Sequence, residues 1–212
     1  MLYFLAVQGK LYAVRSLGMV ECYNPENDAW TYVSSMPDLL VKFSACESQG
    51  MIYVMGGFTT RDKNTELLRY SPTSDTWTTV QLCSMHICEH QMVSVEDTIY
   101  LGGGFETEKQ ILSWEEYCLL QSLRRGDDTV TMWSYNVTTH EWLHKKSKWH
   151  SDMTSTLHND GIYIMSRYVQ LHDNPFLMYN IFSNDWEYFQ YFLELEEITL
   201  LCSLYLPNDK EN

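Results

Sequence analysis

The fold of this chain is decided by the stretch Ile52-Tyr53-Val54-Met55-Gly56-Gly57, which is followed by Tyr70-Ser71-Pro72-Thr73-Ser74-Asp75-Thr76-Trp77. The first segment is an apolar, β-rich run that ends in two glycines. The second segment places a tryptophan seven residues after a tyrosine. Apolar runs bounded by glycine and proline turns are typical of strands. We therefore predict three strands joined by loops in this part of the chain.

The same unit recurs along the sequence. An apolar run that contains a tyrosine is followed each time by a Tyr/Trp pair with constant spacing. The runs begin at Leu11, Ile52, Ile99 and Ile162, and the pairs are Tyr23/Trp30, Tyr70/Trp77, Tyr135/Trp142 and Tyr179/Trp186. Independent loops would not keep this spacing by chance. Strand-rich repeats of this length indicate a solenoid or a propeller.

These units resemble the Kelch repeat. The residues that carry the likeness are the four Tyr/Trp pairs, Gly56-Gly57, Gly103-Gly104, and the turns Asn24-Pro25 and Ser71-Pro72. The resemblance implies that each repeat is a four-stranded blade of a β-propeller. We therefore expect an all-β Kelch propeller with about four blades, at residues 1–37, 38–85, 86–150 and 151–193.

Two further segments follow the repeats. Residues 198–206 are apolar and have strand composition, and we expect them to form a closing strand that pairs with the first blade. Residues 207–212 are expected to form an acidic, solvated tail. Kelch propellers commonly have six blades, so we expect a fragment or a shortened form of a longer protein. The BTB and BACK segments that precede the propeller in BTB-Kelch proteins are not seen in this sequence.

The repeat residues have a structural interpretation. Glycines at the end of the second strand permit close packing and positive φ. Arg15-Ser16 and Ser166-Arg167 stand where the family has two glycines. Those blades are expected either to be distorted there or to place an arginine at the channel mouth. The tryptophans are expected to be wedges between neighbouring blades, each burying roughly 150 to 250 Å².

The composition excludes several classes of partner. The 212 residues include 14 basic and 28 acidic ones, a formal net charge of −14, which opposes binding to a phosphate backbone. No apolar run is long enough for a membrane span, and the apolar start has no basic leader. The six cysteines form no CxxC pair and no regular framework, which favours reduced thiols. We expect a cytoplasmic protein, with the nucleus as a second compartment, that binds neither nucleic acid nor membrane.

One face of such a propeller would collect basic residues. In an up-and-down blade, the loops between the second and third strands and the loops between blades emerge on the same side. These loops hold ten of the fourteen basic residues, including Arg15, Arg61, Arg124, Arg125 and Arg167, which are our predicted electrostatic contacts. Grouped on one rim, they would recognise carboxylates of a partner protein. Acidic residues share these loops, so an ordinary charged loop surface is the alternative.

The third repeat contains an insertion at residues 105–130. Its leucines fall near helical spacing, so a short amphipathic helix on the rim is predicted. Loops of this length are usually functional or disordered, and the aromatic and leucine content argues against full disorder. Trp114 and Tyr117 are the predicted apolar contacts with a partner. A helix packed on its own blade is the alternative.

Patterns for metal binding and catalysis are weak. Cys83, His86, Cys88 and His90 are ligands suited to zinc, but they crowd four ligands into eight residues, so an ordinary interblade loop is preferred. The sequence has no GxSxG, P-loop or HExxH motif. Gly102-Gly103-Gly104 is not followed by the helix that a dinucleotide loop requires. We predict no enzyme, no metal and no cofactor.

The resemblance to BTB-Kelch proteins also implies a function. We expect a protein-interaction module that recognises the target protein of a cullin-RING ubiquitin ligase, with the cullin contacted only through a BTB region. Two alternatives stay open. One is an actin-associated scaffold, and the other is a copper oxidase of the kind found among some Kelch-fold proteins.

Overall fold

The computed structural model describes residues 2–59, 66–82, 87–106, 132–145, 153–158, 161–166 and 176–188. These residues form four antiparallel sheets of four strands each and one 3-10 turn at Ser16–Gly18. In every sheet the strands follow in chain order, so each sheet is one up-and-down repeat. The predicted all-β class is confirmed. The chain divides into two compact units, residues 1–152 and 153–212.

The first blade has four strands: β1 (Leu2–Val7), β2 (Lys10–Arg15), β3 (Val20–Asn24) and β4 (Ala29–Tyr32). Gln8 and Gly9 join β1 to β2, and their φ angles are 50° and 76°. Positive φ at both positions is what a two-residue hairpin needs to match the right-handed twist of its strands. The short turn therefore fixes the register of the first two strands.

The second blade consists of β5 (Ser44–Ser48), β6 (Met51–Met55), β7 (Glu66–Ser71) and β8 (Thr76–Leu82). Gln49 and Gly50 repeat the first hairpin, with φ angles of 50° and 73°. The side chains of β5 and β6 are buried along almost their whole length. Both faces of this blade are covered, because the first and third blades pack on opposite sides of it.

The third blade consists of β9 (Ile87–Val95), β10 (Thr98–Glu106), β11 (Met132–Asn136) and β12 (Trp142–Lys145). The second strand is longer than the sequence predicts. It continues through Gly103 and Gly104 to Glu106, and Gly103 lies opposite His90 of β9. Phe105 and Glu106 therefore belong to the sheet, whereas we expected them to begin the insertion. Residues 107–130, the rest of that insertion, lie outside the described residues.

The fourth blade belongs to the second unit. Its strands are β13 (Met153–His158), β14 (Gly161–Ser166), β15 (Phe176–Asn180) and β16 (Asp185–Tyr188). Ile162 lies opposite Tyr179, and Tyr179 lies opposite Trp186, which is the arrangement of the equivalent residues in the first unit. The predicted closing strand at 198–206 and the tail at 207–212 lie outside the described residues.

The spacing of the Tyr/Trp pairs follows from the hairpin between the third and fourth strands. In each blade the tyrosine lies directly opposite the tryptophan across this hairpin. The ring centroids are 5.3, 5.1, 4.7 and 5.3 Å apart in the four blades, within the range of favourable aromatic pairs. One extra residue in the turn would move the tryptophan to the other face of the sheet.

Each of these hairpins also has a left-handed residue five positions after its tyrosine. The tyrosine hydroxyl hydrogen-bonds to the side chain of that residue in all four blades. The four turn residues are Asp28, Asp75, His140 and Asn184, with φ angles of 52°, 50°, 59° and 52°. Asp, Asn and His are the side chains that enter this region most readily. The turn thus fixes both the register of the hairpin and the position of the tyrosine ring.

Every blade has two faces, which we name upstream and downstream. The upstream face carries the Tyr/Trp pair. The downstream face carries the tyrosine of the second strand, at Tyr12, Tyr53, Tyr100 and Tyr163. In the first unit the downstream face of one blade packs on the upstream face of the next, and Tyr12 meets Tyr70 edge to face with centroids 5.9 Å apart. The hydrophobic core therefore consists of layers between blades.

Trp30 differs from the expected buried wedge. Trp186 is buried and Trp77 and Trp142 are partly buried, but Trp30 is 47% exposed. It lies on the upstream face of the first blade, and within the first unit no other described blade packs on that face. The aromatic pair is a constant feature of the repeat, whereas burial of its tryptophan depends on the preceding blade.

Candidate functional site

The connections at one end of the blades are joined by backbone hydrogen bonds. The β2–β3 and β4–β5 connections emerge at the same end, as the up-and-down order requires. Leu17 N–H donates to the carbonyl oxygen of Leu40 at 3.0 Å, and Met36 N–H donates to that of Gly18 at 2.9 Å. The two connections therefore form one bonded platform.

The platform continues onto the next two blades. Val41 and Phe58 exchange two backbone hydrogen bonds of 2.9 Å in an isolated bridge. Gly57 N–H donates to the carbonyl oxygen of Ile87 at 2.9 Å, which links the β6–β7 connection to the start of β9. Because backbone groups in these loops bond to one another rather than only to water, the rim has a defined shape.

Three apolar side chains of this platform are exposed to solvent. Leu17 is 53% exposed, Leu39 51% and Met19 44%. We call these three residues the rim patch. Met36 and Leu40, from the same connections, are buried beneath them. Exposed apolar side chains anchored on a buried base are typical of a protein-contacting surface.

Leu17 has a strained backbone. Its φ and ψ are 69° and 23°, in the left-handed region, which costs an L-residue of this kind roughly 1–2 kcal/mol. The conformation is held by the bond to Leu40 and by the bond from Arg15 N–H to the carbonyl oxygen of Met19, 2.9 Å long. Strained residues of this kind cluster at binding sites, where the surrounding structure fixes them.

Arg15 is paired within its own blade. Its Nη2 lies 2.6 Å from Oε2 of Glu21, and the two side chains are 48% and 16% exposed. A partly exposed ion pair contributes little to stability, but it neutralises the arginine locally. The described part of the rim therefore presents an apolar patch beside an ion pair in which Arg15 is locally neutralised. The predicted cationic rim stays a prediction.

The other predicted partner contacts cannot be placed on the rim from the described residues. They lie outside the described ranges, and they are Arg61, Trp114, Tyr117, Arg124, Arg125 and Arg167. They stay predictions. Of the predicted electrostatic set, the structure places only Arg15, and it places it next to the rim patch.

The paired glycines of the second blade lie where two blades meet. Gly56 and Gly57 have φ angles of 71° and 79°. A Cβ built on Gly56 would lie 2.4 Å from the carbonyl oxygen of Ile87, and one on Gly57 would lie 2.3 Å from that of Val41. In the first blade this sharp turn comes later, at Leu17 and Gly18, because Arg15-Ser16 replaces the two glycines.

Two of the four candidate zinc ligands, Cys88 and His90, lie on β9. Both are buried, and they project from the same face of the strand. Burial lowers the pKa of His90 to about 3, so its imidazole is neutral. Cys83 and His86 lie outside the described residues. Within the described ranges, no group of three or more His, Cys, Asp and Glu residues is arranged to hold a metal ion.

The rim patch was missed by sequence reasoning. The prediction considered charge in the loops, and charge does not reveal which loop residues are held rigidly and exposed. A usable signal was the short segment Leu17-Gly18-Met19, where two large apolar residues flank a glycine in a turn. Such residues in a tight connection are exposed unless a neighbouring element covers them.

The Kelch motif matches residues 4–37 and 41–81, the segments that form the first two blades. Kelch-like protein 42 from Homo sapiens is 47% identical over 94 residues, which are 41% of this chain and 19% of that protein. The Mus musculus protein of the same name is 46% identical over 94 residues, with the same coverage. Beta-scruin from Limulus polyphemus is 43% identical over 51 residues, covering 24% of this chain and 6% of that protein.

The solved structure of YjhT, a β-propeller, superposes with a TM-score of 0.70 at 11% sequence identity. The superposition covers 92% of this chain and 66% of YjhT, and at that identity it shows the fold alone. The chain matches only about a fifth of the length of its Kelch-like relatives. Among the described residues, no helix is long and apolar enough to cross a membrane. The four antiparallel blades, the two matches to the Kelch motif and these relatives show that the chain contains Kelch repeats and is similar to Kelch-like protein 42 over part of its length.

Proposed function

We propose that the chain recognises the target protein of a cullin-RING ubiquitin ligase and that it grips this target with its rim. The observation that carries the proposal is the rim patch, in which Leu17, Met19 and Leu39 are exposed on a hydrogen-bonded platform. The Kelch repeats and the similarity to Kelch-like protein 42 support a protein-interaction module. The cullin would be contacted through a BTB region and not through this chain.

The mechanism is recognition without catalysis or cofactor. A partner's apolar side chains would pack on the rim patch, because a few well-packed apolar anchors supply most of the energy of a protein interface. The ion pair of Arg15 with Glu21 lies at the edge of that contact, where charges favour orientation more than affinity. The predicted contacts Arg61, Arg124, Arg125, Arg167, Trp114 and Tyr117 would extend it.

Substitution of the rim patch tests this function. Leu17→Asp combined with Leu39→Asp should reduce capture of the target at least tenfold, a change of about 1.4 kcal/mol in binding free energy. Aspartate tolerates the left-handed conformation at position 17 at least as well as leucine, so the fold is preserved. Leu143→Asp, at a residue that is 56% exposed on β12, is the matched control and should capture normally.

The measurement is proximity labelling in cells, followed by the half-life and ubiquitination of each protein that is lost with the double variant and retained with the control. When the chain is joined to a BTB region, a ligase target should become longer-lived if the rim patch is altered. If the double variant labels the same proteins as the unaltered chain, the rim is not the recognition surface. If the chain instead co-sediments with actin filaments and no protein changes its half-life, the scaffold alternative replaces the ligase function.

A further inference from the structure

The two contacts between blades in the first unit differ in their polar groups. We call the contact between the first and second blades the first layer, and the contact between the second and third blades the second layer. Each layer has its own cluster of buried apolar side chains. The difference between the layers lies in the polar side chains that they bury at equivalent positions.

The first layer is joined by directed hydrogen bonds. At its outer strands the Asp75 carboxylate accepts a bond from the Ser34 backbone N–H at 2.8 Å, and Trp77 Nε1 donates to the carbonyl oxygen of Ser34 at 2.8 Å. At its inner strands the Tyr3 hydroxyl donates to the carbonyl oxygen of Phe43 at 2.9 Å. We call the two bonds to Ser34 the outer clasp, because they tie the second blade to the segment that follows the first.

The second layer holds all the buried polar side-chain atoms that have no hydrogen-bond partner within the described part of the chain. The strand register and the packing place their side chains on the two faces that meet in this layer. The atoms are Ser44 Oγ, Arg69 Nε, Gln81 Oε1, Trp142 Nε1 and both ring nitrogens of His90. A buried polar group without a partner destabilises the arrangement that buries it.

The inner strands show this difference at two positions. Ser44 is equivalent to Tyr3, but its hydroxyl makes no bond, whereas the Tyr3 hydroxyl bonds across the first layer. His90 is equivalent to Phe43, and both side chains are completely buried. Because a phenyl ring needs no hydrogen bond and an imidazole does, this position is satisfied in the first layer alone.

The outer strands show it as well. Trp142 is equivalent to Trp77, but its Nε1 has no acceptor. His140 stands in the place of Asp75, and its ring bonds to the Tyr135 hydroxyl of its own blade at 2.6 Å. Among the described contacts the outer clasp is therefore not repeated in the second layer, whose outer strands pack through apolar side chains.

The inner strands of the second layer are nevertheless bonded to each other. The Ser94 hydroxyl donates to the carbonyl oxygen of Glu47, and the Ser48 hydroxyl donates to that of Glu96 at 3.4 Å. These bonds join β5 to the end of β9 and to the turn that follows it. They provide an axis about which the outer strands of the two blades can separate.

We propose that the first unit opens at the second layer. The third blade swings away from the second about the bonded inner strands β5 and β9, and the outer strands separate most. The first layer stays closed, because the outer clasp holds it. Openings of this kind occur at the least stabilised contacts and below the free energy of global unfolding. The rim patch belongs to the β2–β3 and β4–β5 connections, so it stays in place, and the opening goes beyond the proposed function without depending on it.

Thiol labelling of the full chain tests the proposal with two equivalent positions. Cys22 lies opposite Tyr12 in the first layer, and Arg69 lies opposite Tyr53 in the second. Arg69→Cys therefore places a second thiol at the site equivalent to Cys22, which is 5% exposed. Short pulses of N-ethylmaleimide, resolved by mass spectrometry, should label the introduced thiol at least about tenfold faster than Cys22. Each rate is divided by the rate of the same thiol in the urea-unfolded chain.

Two further substitutions in this background distinguish local opening from global unfolding. His90→Leu removes two unpartnered nitrogens from the second layer, so it should slow labelling of the introduced thiol and leave Cys22 unchanged. Asp75→Ala removes the acceptor of the outer clasp, so it should accelerate Cys22 far more than the introduced thiol. If the two thiols react at equal rates, or if each substitution shifts both rates equally, the layers do not open separately and the proposal is wrong.

A second measurement uses the unaltered chain. Trp77 and Trp142 are both partly buried, each against the cluster of its own layer. Pulsed oxidative footprinting should modify Trp142 faster than Trp77, after each rate is divided by its value in urea, and His90→Leu should reduce this difference. Equal protection of the two tryptophans would contradict an opening at the second layer.

Discussion

At Gly56 and Gly57 a missing side chain lets the second blade approach its neighbours. The Hα of Gly56 faces the carbonyl oxygen of Ile87 and the ring of His90, and a Cβ at that site would lie 2.4 Å from the first and 2.6 Å from the second. Backbone atoms cannot move aside as the end of a flexible side chain can. Both glycines also have positive φ, so any replacement adds backbone strain to the steric clash.

We predict that Gly56→Ala or Gly57→Ala lowers the free energy of unfolding by about 2 to 5 kcal/mol, from left-handed strain together with overpacking. Gly9→Ala is a matched control. Gly9 has a φ of 76°, but nothing lies within 4 Å of the Cβ position, so this change should cost only about 1 to 2 kcal/mol. Urea denaturation measures both. Equal losses at the two sites would show that packing at Gly56 adds nothing.

His90 makes the stability of the chain depend on pH. Burial lowers its pKa to about 3, whereas the unfolded chain binds the proton near pH 6.5. Between these values the unfolded state holds more protons than the folded state, so stability falls as the pH falls. His90→Leu removes this effect, and the variant should lose about 2 kcal/mol less than the unaltered chain between pH 7 and pH 5. Parallel pH profiles for the two proteins, measured by chemical denaturation, would contradict this.

At the scale of the element, the hairpin between the third and fourth strands is the constant part of the fold. Its turn residue hydrogen-bonds to the tyrosine hydroxyl. Its two strands place the tyrosine ring against the tryptophan ring. In the second blade, the same turn also binds the preceding blade through Asp75. The Ser34 N–H, followed by the Tyr70 hydroxyl, lowers the pKa of the Asp75 carboxyl. The aspartate therefore holds Ser34 most strongly when it is charged.

We predict that Asp75→Ala destabilises the fold by about 1 to 2 kcal/mol, since it removes two charge-assisted hydrogen bonds near the surface. Asp28→Ala in the first blade is the matched control. Among the described contacts, Asp28 accepts a hydrogen bond from the Tyr23 hydroxyl but none from a backbone N–H. It should cost less. The measurement is urea denaturation of dilute protein at pH 7. Because the hydrogen bonds from Ser34 and Tyr70 lower the pKa of Asp75, the difference between the two variants should shrink only as the pH falls below the ordinary range of an aspartate. A difference that stays constant with pH would argue against a role for the charged Asp75 in holding Ser34.

The repeats allowed the fold class to be predicted, because Tyr/Trp spacing and strand runs are local properties of the chain. The β2 and β6 strands follow directly from Leu11–Val14 and Ile52–Met55. The exposure of Trp30 could not be predicted in this way, because burial depends on what lies against a blade. The rim patch escaped prediction for a related reason, since Leu17 and Leu39 are presented by hydrogen bonds between two connections distant in sequence.

At the scale of the whole molecule, the chain is a series of equivalent sheets, and each described core in the first unit lies between two blades. Stability in such an array depends on neighbour contacts more than on any single blade. The rim patch lies outside these cores, since Leu17, Met19 and Leu39 are exposed.

The four turn residues that receive a tyrosine hydroxyl share one backbone conformation but differ in chemistry. Asp28 and Asp75 bring a carboxylate, Asn184 brings a neutral amide, and His140 brings an imidazole ring. The hairpin therefore forms whether or not its turn residue carries a charge. Evolution can alter the electrostatic character of this end of each blade by single substitutions while the architecture is retained. Related proteins with the same backbone can therefore differ in the charge at this end of each blade.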